Sequence, residues 1–148
     1  SVDPNHDDAD ALITRLQAFA GDLLAIRNIA LRFSADPALK EWKLTSEQRR
    51  NLFLISKEVL YNTLKYADAR TVEISITAGH RSLILELRDD GCGFDPANTD
   101  SYNGNGLLNM RNRARAIDAQ FTLESSPGNG TRVRVVVPQK ATPPRSGD

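Results

Sequence analysis

The sequence predicts an α+β fold, a two-layer α/β sandwich, on three observations. Apolar residues recur at helical spacing through the first half of the chain, then switch to strict alternation from Thr71 onward. The elements run in the order helices, strand pair, loop, helix, strand pair, which suits helices packed as one layer on a sheet. With 148 residues the chain is one domain, long enough to bury a core without metals or disulfides.

Residues 1–8 are polar and acidic and read as a linker or chain end. From Ala9 to Leu24, the residues Leu12, Leu16, Phe19 and Leu23 repeat at helical spacing. Ile26, Ile29, Leu31 and Phe33 follow, where a helix end and a first strand both fit. Ser34 to Lys40, with Pro37, reads as a loop. Thr45 or Ser46, followed by Glu47 and Gln48, offers the N-cap of a long helix that runs to about Ala67.

Val72, Ile74 and Ile76 alternate with polar neighbours, Ala78 to Arg81 makes a turn, and Leu83, Leu85 and Leu87 alternate again. Between Asp89 and Gly106, the residues Gly91, Gly93, Pro96 and Gly104 break any regular element. Leu107, Met110, Ala114 and Ile117 mark a short amphipathic helix. Two last strands, Gln120 to Ser125 and Thr131 to Val137, flank the turn Pro127 to Gly130. The expected domain is 9–138, followed by a disordered tail over 139–148 that carries two prolines.

Lys plus Arg equals Asp plus Glu, 19 against 19, so no general attraction to nucleic acid or anionic lipid follows. The single cysteine, Cys92, has no internal partner and fits a reducing compartment. Apolar runs are too short to span a bilayer, which gives the expectation of a cytoplasmic domain without membrane contact. If the parent protein is a membrane receptor, its spans lie outside this stretch.

Three features carry chemistry. On the long helix, Asn51, Glu58, Asn62 and Lys65 fall within roughly a 60° stripe at 100° per residue. Their neighbours Leu52, Phe53, Ile55, Val59, Leu60 and Leu64 are apolar, so the stripe needs partners. A hydrated magnesium ion with phosphate would satisfy it, and so would plain solvent with an ion pair along the helix. Next, Asp89-Asp90-Gly91-Cys92-Gly93 ends an alternating strand. A carboxylate there can accept a bond from an exocyclic amine while glycine brings the backbone close, although an ordinary turn also fits. Finally, Gly104-Asn105-Gly106-Leu107 opens the last helix, where unpaired backbone N–H groups favour a phosphate.

Together and in this order, these segments resemble the GHKL ATPase superfamily with its Bergerat fold, shared by histidine kinases, gyrase-type ATPases and mismatch-repair proteins. Glu58 through Ala67 matches the N box, Asp89 to Gly93 the first glycine box, Gly104 to Leu107 the second, and Gly130-Thr131 the closing glycine-threonine pair. The resemblance covers about Leu44 to Pro138. Lys57 through Ala67 and Asn109 to Arg113 are similar to kinases whose response regulators carry a helix-turn-helix output domain. Tyr66, Asp90 and Asp118-Ala119 depart from the usual histidine, asparagine and paired glycines.

The resemblance implies a mixed, mostly antiparallel sheet and a site for ATP and Mg2+. It implies Asn62 as magnesium ligand and Asp89 as acceptor of the adenine amine. Glu58 is implied as base or magnesium-shell residue, and Lys65 as a phosphate contact. Gly91 and Gly93 would pass close to the base, with Gly104, Asn105, Gly106 and Leu107 at the phosphates and Thr131 beside Asp89. A lid over Asp95 to Asn103 is implied as well. The implied activity is transfer of the γ-phosphoryl group to a histidine on an upstream dimerisation domain, and thence indirectly to a response regulator. The isolated domain is then expected to be a monomer that does not label itself. A serine kinase of the anti-sigma-factor kind, or an ATP-binding regulatory module, is the competing expectation. His6 and His80 both read as exposed bystanders, and Trp42 as a packing residue.

Overall fold

The computed structural model describes residues 8–97 and 104–139. Helix α1 spans Ala9–Ala25, and strand β1 follows at Ala30–Ala35. A 3-10 turn at Pro37–Glu41 leads to α2, Ser46–Asn62, which continues as a π-helical turn, Thr63–Ala67. Strands β2, Thr71–Gly79, and β3, Ser82–Asp89, form a hairpin; α3 covers Gly104–Ala116, and β4, Gln120–Ser125, and β5, Thr131–Pro138, complete the sheet. The strand order is β1-β2-β3-β5-β4, with β1 parallel to β2 and every other pair antiparallel. This is the mixed, mostly antiparallel sheet that the sequence led us to expect.

Alternation decides which face of the sheet is covered. Val72, Ile74 and Ile76 of β2, Leu83, Leu85 and Leu87 of β3, and Val133, Val135 and Val137 of β5 are all buried. Against them pack Leu12, Leu16 and Leu24 of α1, Leu52, Ile55, Val59 and Leu60 of α2, and Met110 and Ala114 of α3. The other face carries charge: Arg132 lies 3.1 Å from Glu86 and 3.7 Å from Glu124. Such partly exposed pairs add little stability, so the helix-covered face holds the fold together.

Two expectations are corrected and one is refined. The stretch from Ser34 to Lys40 is not a loop: β1 runs to Ala35 because it pairs with β2 as far as Ile76. Asp36 then caps the 3-10 turn, accepting the Ala38 N–H at 2.9 Å, with Pro37 in the first turn where no donor is needed. The long helix reaches Ala67 as expected, but it is α-helical only to Asn62 and π-helical beyond. Asp8 belongs with the domain, since it bridges to Lys43, whose ammonium lies 2.6 Å from its carboxylate. The expected linker over 1–7, most of the tail, and residues 98–103 of the expected lid lie outside the described residues.

The start of α2 is fixed by a reciprocal cap. Thr45 Oγ1 accepts the Gln48 N–H at 3.0 Å, and Gln48 Oε1 accepts the Thr45 N–H at 2.8 Å. Thr45→Ala is expected to lower the unfolding free energy by about 1 kcal/mol, measured by chemical denaturation.

Candidate functional site

The site begins where α2 stops being an α-helix. The π turn Thr63–Ala67 changes the angular step per residue, and Asp68 ends it in the left-handed region at φ 52. The polar file expected at 100° per residue therefore breaks up. Lys65 is exposed on the π turn and does not line the cavity described below. At the other end, Asn51 is buried and its Nδ2 donates to the Glu47 carbonyl at 2.9 Å, which uses the amide within its own helix. Glu58 and Asn62 remain, one turn apart.

Both meet the first turn of α3. A Cβ on Gly106 would collide with the Glu58 carboxylate and stand 3.6 Å from Asn62 Nδ2. Glycine thus brings the N-terminus of α3 down onto α2, with first-turn N–H groups, which have no partner within their own helix, beside the Asn62 amide. Asn62 is 3 % exposed and its Nδ2 has no hydrogen-bond partner among the described residues. An unmet buried donor costs about 1–3 kcal/mol, which makes this amide a candidate binding group. Asn105 is exposed, while Leu107 is half-buried against the core and helps seat the helix.

Asp89 ends β3 opposite Thr131 of β5. It is 8 % exposed, and its Oδ1 accepts the Gly91 N–H at 2.8 Å. Burial pushes its pKa up. The N–H groups of Gly91 and Thr131 and the Thr63 hydroxyl oppose that rise, while the charge of Asp90 adds to it. Asp90 lies in the opposite environment. Its Oδ1 accepts the N–H groups of Thr71 at 2.9 Å and Arg70 at 2.8 Å, and bonding to Thr71 foremost holds its pKa down. Asp90 is thus a clamp on the start of β2, and Asp89 alone faces the site.

The glycines that follow are needed for protein contacts. A Cβ on Gly91 would run into the Ala67 carbonyl, and Gly93 sits at φ +63 with Ser126 closing the space beside it. Between them the Cys92 N–H donates to Ala67 O at 2.6 Å, and the Cys92 carbonyl accepts the Gly128 N–H at 2.6 Å. Cys92 itself is exposed rather than packed, with Sγ 3.2 Å from the Tyr66 carbonyl. Ser125 ties the far wall together: it accepts the Phe94 N–H at 2.9 Å and lies 3.0 Å from Thr131 Oγ1.

These segments enclose a cavity of about 460 Å³. Val59, Ala67, Phe94 and Pro127 supply its apolar walls, and Asn62, Thr63, Asp89 and Thr131 are among its polar groups, with Tyr66, Cys92 and Asp95 also in the lining. That combination of an apolar cleft with a few convergent polar groups is what a small-molecule site requires. Of the residues singled out in the sequence, Asn62, Asp89, Gly93 and Thr131 line it, and Gly106 and Glu58 adjoin it through Asn62. Gly91 and Lys65 do not line it. Thr63 was missed, because a threonine among apolar helix residues carries no periodic signal of a site.

The fold and this cavity define an ATP-binding domain. Residues 47–141 match the family described as histidine kinase-, DNA gyrase B-, and HSP90-like ATPase, and the chain belongs to that family. Among individual proteins it is similar to the sensor protein VraS of Staphylococcus epidermidis, at 37 % identity over 100 residues. That match covers 66 % of this chain and 28 % of VraS, so the chain spans little more than a quarter of that relative. Two solved structures share the fold. One is the histidine kinase domain of a blue-light activated kinase from Erythrobacter litoralis, with a TM-score of 0.68 at 21 % identity, covering 86 % of this chain and 61 % of that one. The other is the histidine kinase AdeS of Acinetobacter baumannii, with a TM-score of 0.72 at 14 % identity, covering 91 % and 66 %.

The raised pKa of Asp89 sets a pH dependence. The native state keeps this proton to higher pH than the unfolded chain does. The contribution of Asp89 to stability is thus greatest in acid and falls as pH rises from the ordinary aspartate range through the raised value. The melting temperature of Asp89→Asn relative to wild type is therefore expected to increase across that window, as read by thermal unfolding from acid to neutral pH. A constant difference would mean that Asp89 titrates as an ordinary aspartate.

Proposed function

We propose that the cavity binds ATP with magnesium and that the domain donates the γ-phosphoryl group to a histidine on a separate, upstream dimerisation domain of a two-component sensor kinase. The observation that carries this reading is the convergence on one cavity of a buried carboxylate, Asp89, and a buried amide with an unpaired end, Asn62, beside the open N-terminus of α3. Asp89 accepts the exocyclic amine of adenine, with Thr131 beside it and Gly93 in the wall. The N–H groups of Gly104, Asn105, Gly106 and Leu107 take phosphate oxygens.

The Asn62 amide can turn its oxygen toward a cation, and the Glu58 carboxylate is its neighbour across Gly106. One or two protein oxygens suit magnesium, which keeps several waters and takes phosphate oxygens as further ligands. When bound, magnesium supplies neutralisation of phosphate charge. Glu58 orders water near that position or receives a proton there. Lys65, exposed next to Tyr66 of the cavity wall, adds positive charge from the solvent side. In the transfer, the bond from the γ-phosphorus to its bridging oxygen breaks as a bond to an imidazole nitrogen forms, so catalysis rests on positioning.

We assign the catalytic domain to 8–138, Asp8 being joined to it through Lys43, with a linker before it and a tail after it. As an isolated domain it is a monomer on the cytoplasmic side, where ATP is available, and it serves a response regulator indirectly. Among the described residues no helix is long and apolar enough to cross a membrane.

Asn62→Ala is expected to keep its fold and to lose at least about tenfold of magnesium-dependent ATP affinity. Calorimetry with and without magnesium measures this, and unchanged magnesium dependence would remove Asn62 from the site. With γ-labelled ATP the chain alone should stay unlabelled, since His80 lies exposed at the β2–β3 turn. Acid-labile label should appear when the histidine-bearing helices are supplied. Acid-stable label on a serine of a partner would instead favour the serine-kinase reading.

A further inference from the structure

We propose that Cys92 is a modification site at the opening of the cavity: a small disulfide of the glutathione class exchanges with its thiol, and the adduct and a nucleotide exclude one another. The inference rests on the cavity being an ATP site, and adds a residue that reading does not use. Cys92 is the single cysteine of the 148 residues, so no internal disulfide can form. It is exposed, whereas a free cysteine kept for packing is among the most buried residue types. It also lines the cavity, and its Sγ donates at 3.2 Å to the carbonyl of Tyr66, a second exposed lining residue.

Asn62 marks this cavity independently as a place for a ligand. It lines the same space, is 3 % exposed, and its Nδ2 has no hydrogen-bond partner among the described residues. A cavity of about 460 Å³ is of the size that one small molecule fills. Cys92 therefore stands where a thiol reagent and a nucleotide compete for one space.

The backbone of Cys92 is held on both sides. Its N–H donates to the Ala67 carbonyl at 2.6 Å, and its carbonyl accepts the Gly128 N–H at 2.6 Å. Gly91 before it packs so closely on the Ala67 carbonyl that a Cβ would collide, and Gly93 after it sits at φ +63 against Ser126. The chain cannot carry an adduct away without breaking those contacts, so only side-chain rotation remains. A tripeptide on Sγ thus stays beside the cavity. In the exchange, Sγ gives its proton to solvent and the thiolate attacks one sulfur of the disulfide. A new S–S bond forms as the old one breaks, and the departing half leaves as a thiolate that takes up a proton. Cys92 is oxidised and that half is reduced, so the disulfide is the only oxidant required.

The test treats the whole chain with glutathione disulfide, follows the adduct by mass spectrometry and measures ATP affinity by calorimetry. Unmodified protein should bind Mg-ATP. At about ten times its Kd, Mg-ATP should slow adduct formation about tenfold, since the fraction of open cavities falls by that factor. The adduct should keep its circular dichroism spectrum and bind ATP at least about tenfold more weakly, the reciprocal of that protection. Dithiothreitol should restore the affinity. Cys92→Ser should show one ATP affinity before and after treatment, and Cys92→Ala serves as the same control if the serine variant fails to fold. The role of Cys92 would be overturned, with the nucleotide site left standing, by any of three results: no adduct without nucleotide, no protection at saturating Mg-ATP, or an adduct with full ATP affinity. An adduct that loses ATP only by unfolding would overturn it too. Unmodified protein that binds no ATP would instead overturn the ATP reading, and this inference with it.

Discussion

Much of this domain is arranged around one carboxylate kept out of water. Asp89 sits at the end of a central strand, and a charge there is tolerable only with donors fixed around it. The first comes from the backbone N–H of Gly91, and Thr131 stands opposite on the neighbouring strand. Supplying the first requires the chain to turn back immediately after β3, which brings Gly91 against Ala67 and Gly93 against Ser126. The glycine box thus docks on the π turn from one side and on the β4–β5 turn from the other. Gly130 belongs to the same constraint, since a Cβ there would collide with the Asp89 carbonyl.

The second half of the site hangs from α2. Its apolar residues lock it to the sheet, so Asn62 at its end cannot withdraw into solvent. Gly106 then brings α3 against that end, placing the first-turn N–H groups of α3, an amide and the Glu58 carboxylate together. Neutral and charged hydrogen-bonding groups are in this way presented at one end of the cavity, and the Asp89 acceptor at another part of its wall. A nucleotide, polar at both its base edge and its phosphates and apolar on its ring faces, matches that division. Under the proposed function, native stability is given up at Asn62 and Asp89 for preorganisation of the site.

Opposed environments separate two adjacent aspartates. Asp89 points into the cavity, where burial raises its pKa, while Asp90 points back to Arg70 and Thr71, whose N–H groups lower it. The sequence presents them as near-equivalent neighbours, and strand alternation alone sends them to opposite faces. Asp90, standing where asparagine is common in the resembling family, accepts two backbone donors and holds the entry to β2. Asp118, another departure, adopts φ 53 just after α3, a left-handed position that glycine fills without cost.

The sequence by itself determined the element order from α2 onward and the covered face of the sheet, and it marked the glycine-rich segments that flank Asp89 and open α3. Those depend on local periodicity and on residue types with few uses: alternating valines and leucines, capping threonine with glutamine, and glycines beside an acid or a helix start. Only the tertiary structure decided which polar residues share the cavity. A helical wheel assumes a constant 100° step, and the π turn breaks that step after Asn62, which separates Lys65 from the site and gives Thr63 a place in its wall. Likewise Asn51 looked equivalent to Asn62 until one amide proved bonded to Glu47 and the other unpaired. Side-chain satisfaction depends on neighbours brought together by packing, and no spacing along the chain records it.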